Sequence, residues 1–250
     1  MRETDRHGGR ILADQLRIQG CEAVYCVPGE SFLAALDGLH DVPGIRTVVC
    51  RQEGGAAMMA EAYGKLTGRP GVCMVTRGPG ATNAASGVHV AFQDSTPMIL
   101  IVGQVARATI DREAFQEMDY RRVFGQMAKW VAQVDDPARI PEYLSRAYHV
   151  AVSGRPGPVV LAFPEDVLSG TAATADAKPA MPAKAKAAPE DVERFRLALE
   201  AATRPMFIVG GGGWSAEAAQ DLQRFSERNH IPVCTSFRCQ DYFDNRHKNY

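Results

Sequence analysis

The chain predicts an α/β fold, a parallel sheet covered by helices on both faces, followed by a second and incomplete α/β domain. Two observations carry this. From residue 10 to residue 164, short apolar runs alternate with longer segments whose apolar residues recur at helical spacing. Special residues then gather in the loops after three of the runs: Pro28-Gly29-Glu30, Gln52-Glu53-Gly54 and Arg77-Gly78-Pro79-Gly80. In a parallel sheet these loops share one edge, at the carboxyl ends of the strands, where ligands collect.

Taken in order, the pattern predicts a helix over 11–19, a strand over 23–27, a helix over 31–39 and a strand over 45–50. A helix over 54–66 comes next, rich in Ala and Met and closed by Gly68 and Pro70, and then a strand over 71–76. The series continues with a helix over 81–92, a strand over 98–102, a helix over 140–152 and a strand over 158–163. Residues 171–189 are Ala, Lys and Pro with hardly any large apolar side chain, which predicts an interdomain linker. The first domain is therefore placed at 1–170, the linker at 171–189 and the start of a second domain at 190–250. That second part predicts a helix near 191–202, a strand over 206–209, the glycine run Gly210 to Gly213, a helix over 215–229 and a strand over 231–236. A sheet domain begun and not completed suggests a fragment, or parts supplied by another chain.

Composition narrows the function. With 250 residues and a formal charge of −1, there is enough chain for a sizeable core and no basic field to hold nucleic acid. No apolar stretch approaches the ~18 residues of a spanning helix, and the charged start over 1–9 is unlike a secretory signal, so a cytoplasmic location without membrane association is expected. The six cysteines form no CxxC pair and the six histidines no metal spacing, which predicts reduced structural thiols and no metal ligands.

Glu53 stands where an apolar strand turns into a small-residue helix, and there the helix dipole favours a carboxylate. A first-turn Glu that only complements the dipole is the bland reading, and the company of the other two loops weighs against it. Gly210 to Gly213 invites a nucleotide or flavin reading, but Ser215 stands where the third glycine of GxGxxG is needed, so a tight turn is favoured. The loop Gly78-Pro79-Gly80-Ala81-Thr82-Asn83 lacks the Lys-Ser/Thr ending of a P-loop, and no GxSxG elbow occurs.

Together the motifs resemble a known family. Val27-Pro28-Gly29, Arg51-Gln52-Glu53-Gly54-Gly55-Ala56-Ala57, Gly78-Pro79-Gly80-Ala81-Thr82-Asn83, Ala114-Phe115-Gln116-Glu117-Met118-Asp119 and Ser153-Gly154-Arg155-Pro156-Gly157-Pro158 stand in matching order and spacing. They look like the N-terminal pyrimidine-binding domain of thiamine-diphosphate enzymes of the acetolactate synthase, pyruvate oxidase and glyoxylate carboligase group. The likeness spans roughly residues 8 to 170, and the remaining residues resemble the start of that family's central domain.

The resemblance implies a chemistry. Glu53 would hydrogen-bond N1′ of the aminopyrimidine and favour the imino tautomer whose 4′ nitrogen removes the thiazolium C2 proton, so that a 2-oxo acid is decarboxylated and its acyl unit ligated. By position, Pro28, Gly29, Glu30, Thr76, Pro79 and Asn83 would surround the pyrimidine, and Phe115, Gln116 and Lys129 would face the substrate. From the residues alone, Asn83 turns a helix, Phe115 is core and Lys129 is a solvated charge. The diphosphate and its Mg2+ belong, in this family, to a C-terminal domain with a Gly-Asp-Gly segment that these residues lack, so tight cofactor binding by this chain alone is not expected. A homodimer or homotetramer with the site between subunits is implied, and FAD stays open.

Three positions depart from acetolactate synthases: Glu30 replaces a second glycine, Gln52 a histidine and Arg77 a small hydroxyl residue. A carboxylate at position 30 would bind a substrate hydroxyl or repel a 2-oxo acid. Two other classes remain open, a degenerate subunit that keeps the fold without the activity, and a flavin or nucleotide binder built on the Gly210 loop.

Overall fold

The computed structural model describes residues 5–183 and 185–250, so the first four residues of the charged start and Lys184 of the expected linker lie outside it. The chain forms two compact units, Met1–Pro182 and Ala183–Tyr250.

In the first unit the elements run β1 (Arg6–His7), α1 (Gly8–Ile18), β2 (Ala23–Cys26), α2 (Leu33–Asp41), β3 (Arg46–Val49), α3 (Glu53–Thr67), β4 (Gly71–Val75) and α4 (Pro79–Asp94). They continue as β5 (Met98–Gln104), α5 (Tyr120–Phe124), β6 (Trp130–Gln133), α6 (Ile140–Val152), β7 (Pro158–Pro164), α7 (Glu165–Ser169) and β8 (Thr171–Ala172). Six strands form one sheet in the order β3-β2-β4-β5-β7-β6, and every pairing is parallel. The predicted α/β class is therefore the observed one. Its four inner strands are apolar because helices shield them from water on both sides. One face packs Ile11, Leu12 and Leu16 of α1, Ala35 and Leu39 of α2 and Leu144 of α6 against alternate strand residues. The other packs Ala56, Ala57 and Ala60 of α3 and Ala81, Ala84 and Val88 of α4.

The second face is made of small residues for a reason. A Cβ at Gly87 would lie 2.5 Å from Cβ of Ala57, and one at Gly54 3.1 Å from the Asn83 carbonyl, so α3 and α4 approach more closely than larger residues allow. That approach brings the first turns of the two helices together.

Besides the short pair β1 and β8, three elements were not expected. Trp130–Gln133 forms the edge strand β6, and two short helices, α5 and α7, come after loops at the carboxyl edge. The segment predicted to begin a linker at 171 is tied down over its first part. Thr171–Ala172 pairs antiparallel with Arg6–His7, and the Gln15 side-chain amide both donates to the Ala177 carbonyl and accepts from its N–H, each at 3.0 Å. Gln19 does the same for Lys178 and Ala180. Amide side chains on α1 thus act as a strand partner, which an Ala/Lys/Pro composition does not reveal. The division between units falls after Pro182.

The second unit contains α8 (Pro189–Ala201), β9 (Phe207–Val209), α9 (Ala216–Asn229) and β10 (Val233–Thr235), with β9 and β10 parallel. Its glycine run is a turn: Trp214 Nε1 donates to the Gly210 carbonyl at 3.2 Å and the Tyr242 hydroxyl to that of Gly211 at 2.8 Å. Ser215 caps α9 by accepting from the Ala218 N–H. One of the helix-start amides that a pyrophosphate would need, that of Ala218, is already capped, which favours the tight-turn reading over the nucleotide one.

Candidate functional site

Strand order locates the site. From β2 the chain moves outward to β3, and β4 returns on the other side of β2, so the direction of winding reverses between β2 and β4. Ligands of open α/β sheets bind in the crevice outside the carboxyl ends of strands at such a switch point. The loop 28–30 leaves β2 and the loop 76–80 leaves β4, one on each side of it.

Glu53 is the first residue of α3. Gln52 holds the N-cap and accepts from the Gly55 N–H at 2.9 Å, so its side chain serves the helix start. The Asn83 side chain, in the first turns of α4, donates to Oε2 of Glu53 at 3.0 Å. Among the described residues no donor reaches Oε1. One oxygen is fixed and the other is without a protein donor among these residues.

Around it glycines let two loops close up on Thr76. A Cβ at Gly80 would lie 2.8 Å from Thr76 Cγ2 and 3.4 Å from Glu53 Oε1; one at Gly29 would lie 2.6 Å from Thr76 Cβ. Thr76 therefore stands between the two loops, and its hydroxyl shares a 2.8 Å hydrogen bond with buried Ser31. Pro79 opens α4 at a position where its missing N–H costs nothing. Pro28 is exposed beside them. The turn at Gly78 needs glycine, with φ of 42° and ψ of −103°, and its N–H donates to the Tyr120 hydroxyl at 3.1 Å. Burial pushes the Tyr120 phenol up to about 12, which keeps it a neutral acceptor for that N–H.

The remaining predicted residues divide. Gln116 adopts a left-handed conformation, φ 65°, and a Cβ at Gly78 would lie 2.8 Å from its carbonyl, so its loop lies against the β4–α4 loop. Phe115 beside it is 74% exposed, which rules out the core reading. Lys129 goes elsewhere. It precedes β6 at the amino edge of the sheet, and its ammonium donates to the carbonyls of Val150 and, at 2.7 Å, Ser153. It caps the carboxyl end of α6 in this unit, with burial lowering its pKa.

Two of the departures are one feature. Arg77 Nη2 donates to Glu30 Oε1 at 2.6 Å and Nη1 to Glu165 Oε2 at 3.1 Å. Glu165, the first residue of α7 directly after β7, carried no sequence signal, and neither did Ser31 or Tyr120. Their roles depend on strand order, which periodicity alone leaves open. The six cysteines are free thiols, and among the described residues no group of three His, Cys, Asp or Glu side chains forms a metal site.

Comparison with known proteins points to one family. Residues 6–123 match the thiamine pyrophosphate enzyme N-terminal TPP binding domain, and residues 192–250 match the central domain of the same enzymes. The chain is 34% identical over 252 residues to an acetolactate synthase of Arthrospira platensis, a match covering 96% of this chain and 43% of that one. It is 34% identical over 235 residues to the acetolactate synthase large subunit of Haemophilus influenzae, covering 92% and 41%. To the acetolactate synthase isozyme 2 large subunit of Escherichia coli it is 36% identical over 233 residues, covering 92% and 42%. The chain thus spans about two fifths of the length of these curated relatives.

Proposed function

The chain belongs to the thiamine pyrophosphate enzyme family, and on that premise we propose that it supplies the pyrimidine half of the active site of an acetolactate synthase-like enzyme, with Glu53 as its catalytic carboxylate. The observation that carries the reading is the division of labour at Glu53, Oε2 held by Asn83 and Oε1 left without a donor beside the glycine cradle.

The residues fit the group. Gly29 and Gly80 close onto Thr76 where a Cβ would collide with it, and Gly80 keeps a side chain from crowding Glu53 Oε1, so an aromatic ring would meet bare backbone beside that oxygen. Its N1′ needs a partner able to share a proton, which an amide is not. When bound, thiamine diphosphate supplies a carbon nucleophile and the electron sink for decarboxylation of a 2-oxo acid and for carboligation. Glu53 holds a proton at N1′ through Oε1. Asn83 keeps the carboxylate from rotating away, and Ser31 fixes the Thr76 hydroxyl, which would stand next to the bound pyrimidine. Pro28 and Pro79 stiffen the two loops, and Phe115 and Gln116 face the donor.

The diphosphate and Mg2+ are assigned to a region other than these 250 residues, and FAD is left open. We place the complete enzyme in the cytoplasm as a homodimer or homotetramer. Met58, Met59 and Leu66, exposed along α3, are an apolar surface suited to the second subunit, and no helix among the described residues is long and apolar enough to cross a membrane. The reading is tested by Glu53→Gln in the protein that carries the diphosphate-binding region. Exchange of the cofactor C2 proton for deuterium should slow by about 10²- to 10⁴-fold. A near wild-type exchange rate sinks the assignment.

A further inference from the structure

Arg77 is a buried guanidinium at the switch point, and with the two carboxylates that hold it the cluster draws on three different strand ends. Glu30 comes after β2, Arg77 after β4 and Glu165 after β7, so the two ion pairs span the crevice and continue across the sheet edge. The exposures are unequal. The Arg77 side chain is 8% exposed, whereas Glu30 is 72% and Glu165 45% exposed. The cation lies inside and the carboxylates outside, so a ligand entering here meets carboxylate oxygens backed by a positive charge it cannot touch.

Stability alone does not account for the arrangement. Arg77 Nε is buried without a hydrogen-bond partner, an unmet N–H that an apolar side chain in its place would avoid. Two carboxylates that remain solvated do not need a buried cation either.

A cavity of about 390 Å³ opens beside these groups, its wall combining Glu30, Ser31, Glu165 and Asp166 with apolar residues such as Phe32 and Leu168. Its size suits a small metabolite. Ser31 joins it to the cradle through Thr76. The charged groups on its wall are all carboxylates, and Asp166 is fixed there by the N–H and Nε of Arg107, at 3.0 and 2.8 Å. Such a wall accepts hydrogen bonds and offers no cation to a second anionic group.

We propose that Arg77 is a positioning residue that fixes the Glu30 carboxylate at the mouth of the pyrimidine pocket, so that the site selects acyl donors bearing a hydroxyl over donors bearing a second carboxylate. The proposal rests on the thiamine-diphosphate reading and names the substrate class of that same site. A donor hydroxyl gives its proton in a hydrogen bond to the fixed carboxylate. A second donor carboxylate meets a like charge, and at partly screened separations of several ångströms this costs roughly tenfold or more in kcat/KM.

The test uses the protein carrying this chain and its diphosphate-binding region, loaded with thiamine diphosphate and Mg2+. Donor selectivity is read as the ratio of kcat/KM for 3-hydroxypyruvate to that for 2-oxoglutarate, in wild type, Glu30→Gln and Arg77→Met, with the melting midpoint of each. The ratio should favour 3-hydroxypyruvate in wild type and fall roughly tenfold in both variants, in Arg77→Met although Glu30 is still present. A merely structural Arg77 would lower the midpoint and leave the ratio alone, and an unchanged ratio in either variant overturns the proposal. Because Glu30 is exposed, Glu30→Gln decides the case even where Arg77→Met does not fold. C2 proton exchange without turnover of 3-hydroxypyruvate also overturns it, while loss of C2 exchange in wild type overturns the underlying reading and this inference together.

Discussion

The Asn83 side-chain amide donates to Glu53 Oε2 at 3.0 Å, joining the first turns of two helices that leave neighbouring loops of the sheet edge. This contact decides which oxygen of Glu53 is available. Asn83→Ala should therefore slow C2 proton exchange by about 10- to 100-fold, the value of one hydrogen bond to a charged acceptor. Glu53→Gln should cost more, since it removes the proton-sharing group itself. Equal losses in the two variants, measured by exchange in the cofactor-loaded protein, would mean that Asn83 does more than orient.

The Glu53 to Asn83 distance depends on how closely α3 and α4 pack. Gly87→Ala inserts a methyl 2.5 Å from Cβ of Ala57, in a face where both helices are backed by the sheet. The helices must separate, at a cost of about 1–3 kcal/mol. Urea unfolding should show a lower midpoint at unchanged slope. An unchanged midpoint would show that the pair of helices has room to give.

How far the sequence discloses this molecule depends on the range of each interaction. The helix Ile140–Val152 is found at its predicted bounds because its apolar spacing is local, whereas Trp130–Gln133 escapes notice as a four-residue, half-exposed edge strand. Glu53 is legible because its neighbours announce a strand turning into a helix. The Arg77–Glu30 pair is not, since 47 residues separate its members and only the placement of β4 beside β2 joins them. Read singly, Glu30 is an odd carboxylate and Arg77 an odd cation; paired, they balance across the switch point.

Lys129 tests the same lesson from the other side. Its ammonium holds the carbonyls of Val150 and Ser153 at the end of α6, far along the sheet from the carboxyl edge. Lys129→Met should destabilise this chain by about 1–2 kcal/mol in chemical denaturation. In the cofactor-loaded protein it should leave the ratio of donor kcat/KM values where it was. A changed donor ratio at unchanged stability would restore it to the substrate side.

Glu61 gives the first unit a pH dependence of calculable sign. Its side chain is buried on α3, and burial raises its carboxyl from the usual 4.5, while a 3.1 Å hydrogen bond from Thr96 and the nearby Lys65 pull it down and Asp94 adds to the rise. Below pH 4.5 the group is protonated in both folded and unfolded chains and has no effect. Between 4.5 and the raised value the folded chain binds more protons, so this group makes stability fall as pH rises. Above that window the penalty of a buried charge is constant. Glu61→Gln keeps an oxygen for Thr96 and removes the charge, so the variant should match wild type at the acid end and exceed it near neutrality. Urea midpoints measured from about pH 4 to 7.5 would show the two curves diverging upward from the acid side. Parallel curves would mean that the Glu61 carboxylate is as well solvated in the folded chain as in the unfolded one.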